Sequence, residues 1–458
     1  MSLKISRILH AGYVFERDHI QIAFDPIFEN PFSTNCFAFP EVRFDLDEIK
    51  RLRFAAVFIS HYHDDHCSLE SLALLDRKIT IYLFCVFEEI FILIRKLGFK
   101  NVYSMTIDVS IAVGPFEIIP RLALDADIDC ILEIKAGGLN VLNVVDSWMD
   151  PDTLETFRKT PVWDVVLWPF QTMREIEVLT PTRSSVAASQ LPSEWIDQLK
   201  KLKPRYIVPS SCQFIHEKWS WYNQALFPIS YQQFQSEVES VVIESKVIRL
   251  NPGTSLIIDK AEIEFSDPLP WLHPVGFQDV DYDYQAHLLP PTTAEIAGRF
   301  VALNTQQTEL VLRYCRIGLI EKFKSLDIPE NKYFVKPRLW KLSLFNHEQA
   351  AIHFYYILKG SGIEAAQDGP ESIAWLTEVP INKLYAALEC GEALTSLYIR
   401  INDVIFTSEI ENEIASADIM DDPLIRCLYN GVFAAYQSSQ LTKLEAQQKL
   451  LPFLPEIR

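Results

Sequence analysis

Three imidazoles and the Asp65 carboxylate fall within six residues of this chain, in the run His61-Tyr62-His63-Asp64-Asp65-His66. His61 and His63 sit two apart, directly after the apolar run Ala55-Ala56-Val57-Phe58-Ile59-Ser60, which reads as a buried strand. Alternate side chains of an extended segment point the same way, so both imidazoles face one side. Asp65 and His66 come where the chain turns into a segment with an apolar face of helical spacing, and this swings them to the other side of one pocket. Imidazole and carboxylate groups so placed can ligate one or two metal ions. A bound water of lowered pKa would then attack an ester, amide or phosphodiester, with Asp65 as the catalytic group that orients or deprotonates it. Two irons in the same place would instead bind dioxygen.

The elements that must position these groups alternate over about 260 residues. Val14-Phe15 and Ile20–Phe24 read as strands joined by a turn at Glu16-Arg17-Asp18. Further strands are expected at Ile131–Ile134, Leu139–Val145, Val162–Trp168 and Arg205–Val208, and a helix at Ser193–Leu202. Val247–Leu250 and Ser255–Ile258, flanking Asn251-Pro252-Gly253-Thr254, read as a closing hairpin. Short loops between alternating strands and helices suit an α/β layered sandwich. Residues 261–293, with five prolines between 268 and 291, read as a linker or covering segment. Residues 294–458 are expected to form a smaller α+β domain of unassigned role. There a helix (Ile381–Leu388) and a strand (Ser396–Ile401) loosely resemble small lipid-carrier-like domains.

The 458 residues exceed one ordinary core and predict two or three domains. Apolar residues make up 49% and charged residues 22%, a globular balance. The net charge of −19 repels phosphate backbones and argues against nucleic acid as a partner. Eight scattered cysteines, none in a C-x-x-C pair, read as buried thiols of a cytoplasmic protein. The apolar stretch Ile81–Phe99 is broken by Glu88, Glu89, Arg95 and Lys96, so it predicts a strand running into a half-buried helix and no membrane span.

The H-x-H-x-D-H run resembles the signature of the metallo-β-lactamase fold, an αββα sandwich, over about residues 4–258. The resemblance implies that His61, His63, Asp65 and His66 are metal ligands. It also implies that Asp146, ending Asn143-Val144-Val145-Asp146, bridges two ions. Phe24-Asp25-Pro26 resembles the family's Asp-Pro step, which places Asp25 behind the ligands, and His10 lies where the first strand approaches them as a hydrogen-bond donor to a ligand. Two departures stand out. No histidine lies between His66 and His216, where the family has its third motif; Asp125 and Asp127, or their neighbour Asp129, could replace it. After Arg205–Val208 the chain reads Pro209-Ser210-Ser211-Cys212-Gln213-Phe214 in place of a histidine, which makes Cys212 and His216 further candidate ligands. Fewer imidazoles and more carboxylates suit iron, or manganese, over zinc.

Several stretches resemble more closely the lactamase-like part of CMP-N-acetylneuraminate hydroxylase: FDPIFENPF, VFISHYHDDHCSLESL, CILEIKAGGLNVLNVVD, LKPRYIVPSSCQF and VIRLNPGTSLIID. That family's Rieske centre needs C-x-H and C-x-x-H, and this chain has neither. The expectation is therefore an iron-dependent oxygenase acting on a small or carrier-linked substrate, with electrons from an external donor. The alternatives are a zinc hydrolase and a non-catalytic module held by a structural metal. The aromatic run Trp219, Trp221, Tyr222, Phe227 and Tyr231 either walls the pocket or packs in the core.

Overall fold

The computed structural model describes residues 2–260, 262–327, 332–367, 372–415 and 417–450. By contacts the chain divides into two units. One comprises the chain through Met173, Ala187–Gln285 and the chain from Gln440; the other comprises Arg174–Val186 and Ala286–Ser439. The division is thus not the sequential one expected at 260 and 294. Residues 174–186 belong with the later part of the chain, and the last helix, Ala435–Leu450, begins in the second unit and belongs to the first from Gln440 on.

The first unit is an αββα sandwich. An eight-stranded sheet runs in the order Ile263–Ser266, Ser255–Ile258, Leu3–Arg7, Tyr13–Arg17, Ile20–Phe24, Ala56–Ile59, Thr80–Leu83, Val102–Ser104. A seven-stranded sheet runs Lys246–Val247, Tyr206–Pro209, Val165–Trp168, Leu139–Asn143, Cys130–Ala136, Phe116–Leu122, Ile111–Val113. Phe15, Phe24 and Phe58 of the first sheet share one core with Ile118, Leu132, Ile134, Val141, Val165 and Leu167 of the second, so the sheets pack face to face. Ala56–Ile59 and Val165–Trp168 lie among parallel neighbours and are buried at every position. Such strands need helices on their outer faces. Glu88–Lys96 supplies Ile90, Phe91 and Ile94, and Ser193–Leu202 supplies Trp195, Leu199 and Leu202.

Local details depart from expectation for physical reasons. Glu16 and Arg17 pair with Gln21 and Ile20, so the first turn is Asp18-His19, with φ of 52° and 64°. Two residues at positive φ match the twist of the flanking strands, which a turn at residues 16–18 would splay. Arg17 then donates from Nη1 to Ala136 O of the other sheet, at 3.1 Å. Gly137 (φ +59°) is required there, because a Cβ would lie 1.9 Å from the Arg17 guanidinium carbon. Lys246–Val247 and Ser255–Ile258 form no hairpin. The former pairs with Tyr206 and Ile207 and the latter with Leu3–Ser6, so the chain crosses from one sheet to the other at 251–254. Residues 267–285 belong to this unit: Leu272–Pro274 pairs with Val42–Phe44, and Tyr282 packs on Phe39 and Phe227. The stretch Ile81–Phe99 divides into the strand Thr80–Leu83 and the helix Glu88–Lys96, and no helix among the described residues is long and apolar enough to cross a membrane. None of the eight cysteines is in a disulfide.

The second unit is α+β. Its sheet runs Gly362–Ala366, Ala351–Lys359, Arg338–Phe345, Ile373–Pro380, Arg400–Ile401, with the third and fourth strands parallel. Trp340 stacks on Tyr356 at 4.8 Å, and Trp375 donates to Asp422 Oδ2 at 2.7 Å. The helix expected at 381–388 runs Ile381–Cys390, whereas 396–401 is a 3₁₀ turn followed by only the two-residue strand Arg400–Ile401. Tyr398 at φ 53° breaks the extended run. The inserted segment 174–186 is fastened by Leu179 in the core and by Arg183, which donates to Asn402 O, Val404 O and both Glu411 oxygens. Arg183→Ala is expected to lower the thermal midpoint of this unit by several degrees. Arg183→Lys should recover only part of that, because an ammonium cannot reproduce the guanidinium fork. Differential scanning calorimetry of the full chain reads both.

Candidate metal centre

The site forms at the carboxyl ends of Ile20–Phe24, Ala56–Ile59, Leu139–Asn143 and Tyr206–Pro209, where helix-bound crossovers leave a crevice. Four residues in or beside it take positive φ although none is glycine: His10 (26°), Asp25 (41°), Val145 (63°) and Cys212 (56°). Such backbone is costly, most of all for β-branched Val145, and persists only where its surroundings hold it. Asn143 Oδ1 accepts from Val145 N–H, and Ser211 Oγ donates to Val145 O at 2.6 Å; together they lock the step that presents Asp146. Gly12 lets the Asp25 backbone come close, since a Cβ there would meet Asp25 O at 2.8 Å.

Asp25 is a buried hub. Its Oδ1 accepts from Ser60 N–H and its Oδ2 from Ser60 Oγ–H, each at 2.7 Å. With that proton committed, Ser60 Oγ accepts from His61 Nδ1, 3.0 Å away. Asp25 Oδ2 also lies 3.1 Å from His66 Nδ1. Both imidazoles thus carry a proton on Nδ1 and turn Nε2 inward, which makes Nε2 the nitrogen that would face a metal. His66 Nε2 is 3.0 Å from Asp146 Oδ2, and His61 Nε2 is 3.9 Å from Asp146 Oδ1. The two oxygens of Asp146 therefore face two different imidazoles.

His10 closes the pocket from the other side. Its Nε2 lies 2.9 Å from Asp65 Oδ2 and 3.1 Å from His66 Nε2. The donor atoms of His10, Asp65, His66 and Asp146 lie within 4.8 Å of one another. His10 differs from the other three, however. Cys212 N–H donates to its Nδ1 at 2.9 Å, so a neutral His10 carries its proton on Nε2 and donates to Asp65. Fully buried Arg7 donates to the carbonyls of His10, Pro209 and Leu250 and so holds this turn.

The aspartate beside the remaining histidines is Asp129, with Oδ1 3.7 Å from His61 Nδ1. Asp125 and Asp127 are exposed. Asp129 N–H closes the turn on Asp125 O, and this turn aims Asp129 inward as the strand Cys130–Ala136 begins. Cys212 supplies its backbone N–H to the cluster. His216 packs among Phe214, Tyr222 and Phe227, because the chain leaves the crevice after Cys212 to pair Phe214–Ile215 with Phe37–Ala38. Tyr222, Phe227 and Tyr231 are likewise core residues. His63 is exposed at the mouth, its ring 4.5 Å from that of His61. The hub serine, Ser60, was invisible in sequence except as the residue joining a strand end to His61.

The electrostatics fit a cation. Asp129 Oδ1 and Asp146 Oδ1 are buried and have no hydrogen-bond partner. Burial, and then the Asp146 charge, push Asp129 up to about 6. Burial also works against the Asp146 carboxylate, but His66, by its charge and its hydrogen bond, outweighs it and holds it well below its usual range. Burial and the neighbouring His66 lower His61 to about 4, which keeps it neutral. Burial opposes a charged His66 too, yet Asp146 and Asp65 raise it well above the ordinary value. A proton on His66 thus occupies the position that a metal ion would take by displacing it.

No known family's sequence pattern matches the chain, and no curated protein matches it. Similar solved structures include a metallo hydrolase from the archaeon Ignicoccus hospitalis, at 18% identity over 57% of this chain and 99% of that one, TM-score 0.40. An isothiocyanate hydrolase from Delia radicum gut bacteria is 17% identical over 55% of this chain and 98% of that one, TM-score 0.38. The diiron β-hydroxylase CmlA from Streptomyces venezuelae is 14% identical over 56% of this chain and 53% of that one, TM-score 0.37.

Proposed function

We propose that this chain is a metal-dependent enzyme whose centre takes two ions, one among His61, His63, Asp129 and Asp146 and one among Asp65, His66 and Asp146. Asp146 carries the reading, because its two oxygens face His61 and His66 separately and one of them is buried without a protein partner. Three imidazoles and three carboxylates favour iron, or iron with manganese, over zinc. The hydroxylase-like sequence stretches point the same way, toward oxidation of a small substrate with electrons from an external donor. Iron bound there would supply electrons to dioxygen. The chain's own residues orient: Asp25 and Ser60 fix both imidazoles, and His10 Nε2–H donates to Asp65, whose carboxyl, against its burial, His66 and His10 hold well below the usual range, so that it stays ionised as a ligand.

Elemental analysis of protein expressed without added metal tests this, together with oxygen uptake under a chemical reductant. About two irons per chain, or iron with manganese, and reductant-dependent uptake are the expected result. One or two zincs with hydrolysis of a screened ester or phosphodiester would replace oxidation by hydrolysis, with Asp65 as base. No metal above background would leave a binding module.

A further inference from the structure

The helix Leu69–Leu72 follows His66 after only Cys67 and Ser68. The turn before it is closed on itself, with His66 N–H and Cys67 N–H both donating to His63 O, at 3.1 and 2.8 Å. Little free chain therefore separates Asp65 and His66 from this helix. The same helix holds the loop that follows Asp25. Phe28 N–H donates to Ser71 Oγ at 2.8 Å, and Ser68 Oγ and Ser71 Oγ both donate to Glu29 Oε1. Both partners of the 3.1 Å contact between Asp25 and His66 are thus tied to one helix of four residues. A helix so short has little stability of its own and depends on what its ends are fastened to.

Its amino end is fastened by a residue 371 positions further along the chain. Gln440, in the helix Ala435–Leu450, is 5% exposed. Its Oε1 accepts from Leu69 N–H at 2.7 Å, and its Nε2–H donates to Ser68 Oγ at 2.9 Å. Ser68 Oγ also accepts from Ser71 N–H at 3.2 Å, so with its own proton given to Glu29 its bonding capacity is filled. Leu69 is fully buried, and loss of the Gln440 amide would strand its N–H away from water. A stranded backbone donor is costly enough to make the segment shift. The neighbouring pair Lys443–Glu70, at 2.6 Å, has a mostly exposed lysine and adds little.

We propose that Gln440 is a positioning residue of the metal centre: it holds Ser68 and Leu69, and through them the placement of His66 against Asp25. Ligand side chains work only when held to within about 0.5 Å of the productive geometry. The inference rests on the metal-centre reading for its consequence, but one arm of its test needs no metal. In the metal-free full chain with isotope-labelled histidine, the His66 Nδ1–H resonance is followed by NMR, identified by its loss in His66→Gln. Gln440→Met keeps the volume of the side chain and removes both hydrogen bonds, and it is expected to shift or broaden this resonance. Lys443→Met should leave it in place. In the second arm, a chelator competes with the chain for iron(II) or zinc(II). Gln440→Met should hold metal roughly tenfold more weakly. Combined with Ser68→Ala, it should lose less than the sum of the two single losses, because both break one link. A His66 resonance unchanged in Gln440→Met overturns the inference whatever the metal content. So do unchanged metal affinity in that variant and fully additive losses. A resonance that moves in a protein that takes up no metal would overturn the metal reading and leave Gln440 as the residue that positions His66.

Discussion

If two ions bind as proposed, Asp146→Asn is expected to strip both from the chain, whereas Asp129→Asn costs one and Asp125→Asn none. Asparagine keeps the size of the side chain but removes the charge and one of the two oxygens that face His61 and His66. Loss of a shared carboxylate should weaken both ions by well over the roughly 10–100-fold typical of a partner that only supports a ligand. His10→Ala is expected in that smaller range, because its Nε2–H donates to Asp65 and its Nδ1 is occupied by the Cys212 amide. Metal-to-protein ratios after dialysis against a graded chelator series rank the four variants. Retention of both ions in Asp129→Asn with loss in Asp125→Asn would reverse the assignment of the inward aspartate. A His10→Ala chain as poor in metal as Asp146→Asn would make His10 a ligand.

The second large effect lies in the other unit and concerns stability. Lys383 Nζ meets Glu392 Oε1 at 2.5 Å, with side chains only 9% and 2% exposed. The rings of Phe300 and Tyr398 lie 5.1 and 5.8 Å from the same ammonium. The pair joins the helix Ile381–Cys390 to the turn that follows it. Removing one member of a buried pair leaves the other charge without its counter-ion, at about 3–5 kcal/mol. Lys383→Met should therefore destabilise this unit by about that amount in denaturant titration. Lys383→Met combined with Glu392→Gln should recover most of the loss, because an ion pair replaced whole by neutral groups is often close to neutral in stability. A single variant as stable as the wild type would show that the interior there is wetter than its burial implies.

What the sequence determined by itself is local. The strand Ala56–Ile59 and the H-x-H-x-D-H run lie within eleven residues, so the buried strand and the cluster of histidines and Asp65 that follows it are legible without any distant partner. The helix Ser193–Leu202 was legible in the same way, from a repeating apolar face. Tertiary structure decided whatever depends on partners far along the chain. Asp25 sets the tautomers of His61 and His66 only because its strand lies parallel beside Ala56–Ile59. Among three aspartates spaced two apart, the closure of one turn chose Asp129, which no periodicity encodes. Cys212 and His216 looked equally ready to bind metal, but backbone pairing after residue 212 carried His216 into an aromatic core. The chain between Val247 and Ser255 reads as a hairpin because a Pro-Gly turn between apolar segments is a local signal. Its two ends instead pair into different sheets, Lys246–Val247 with Tyr206 and Ile207 and Ser255–Ile258 with Leu3–Ser6, partners that lie side by side with them only once the sandwich has formed.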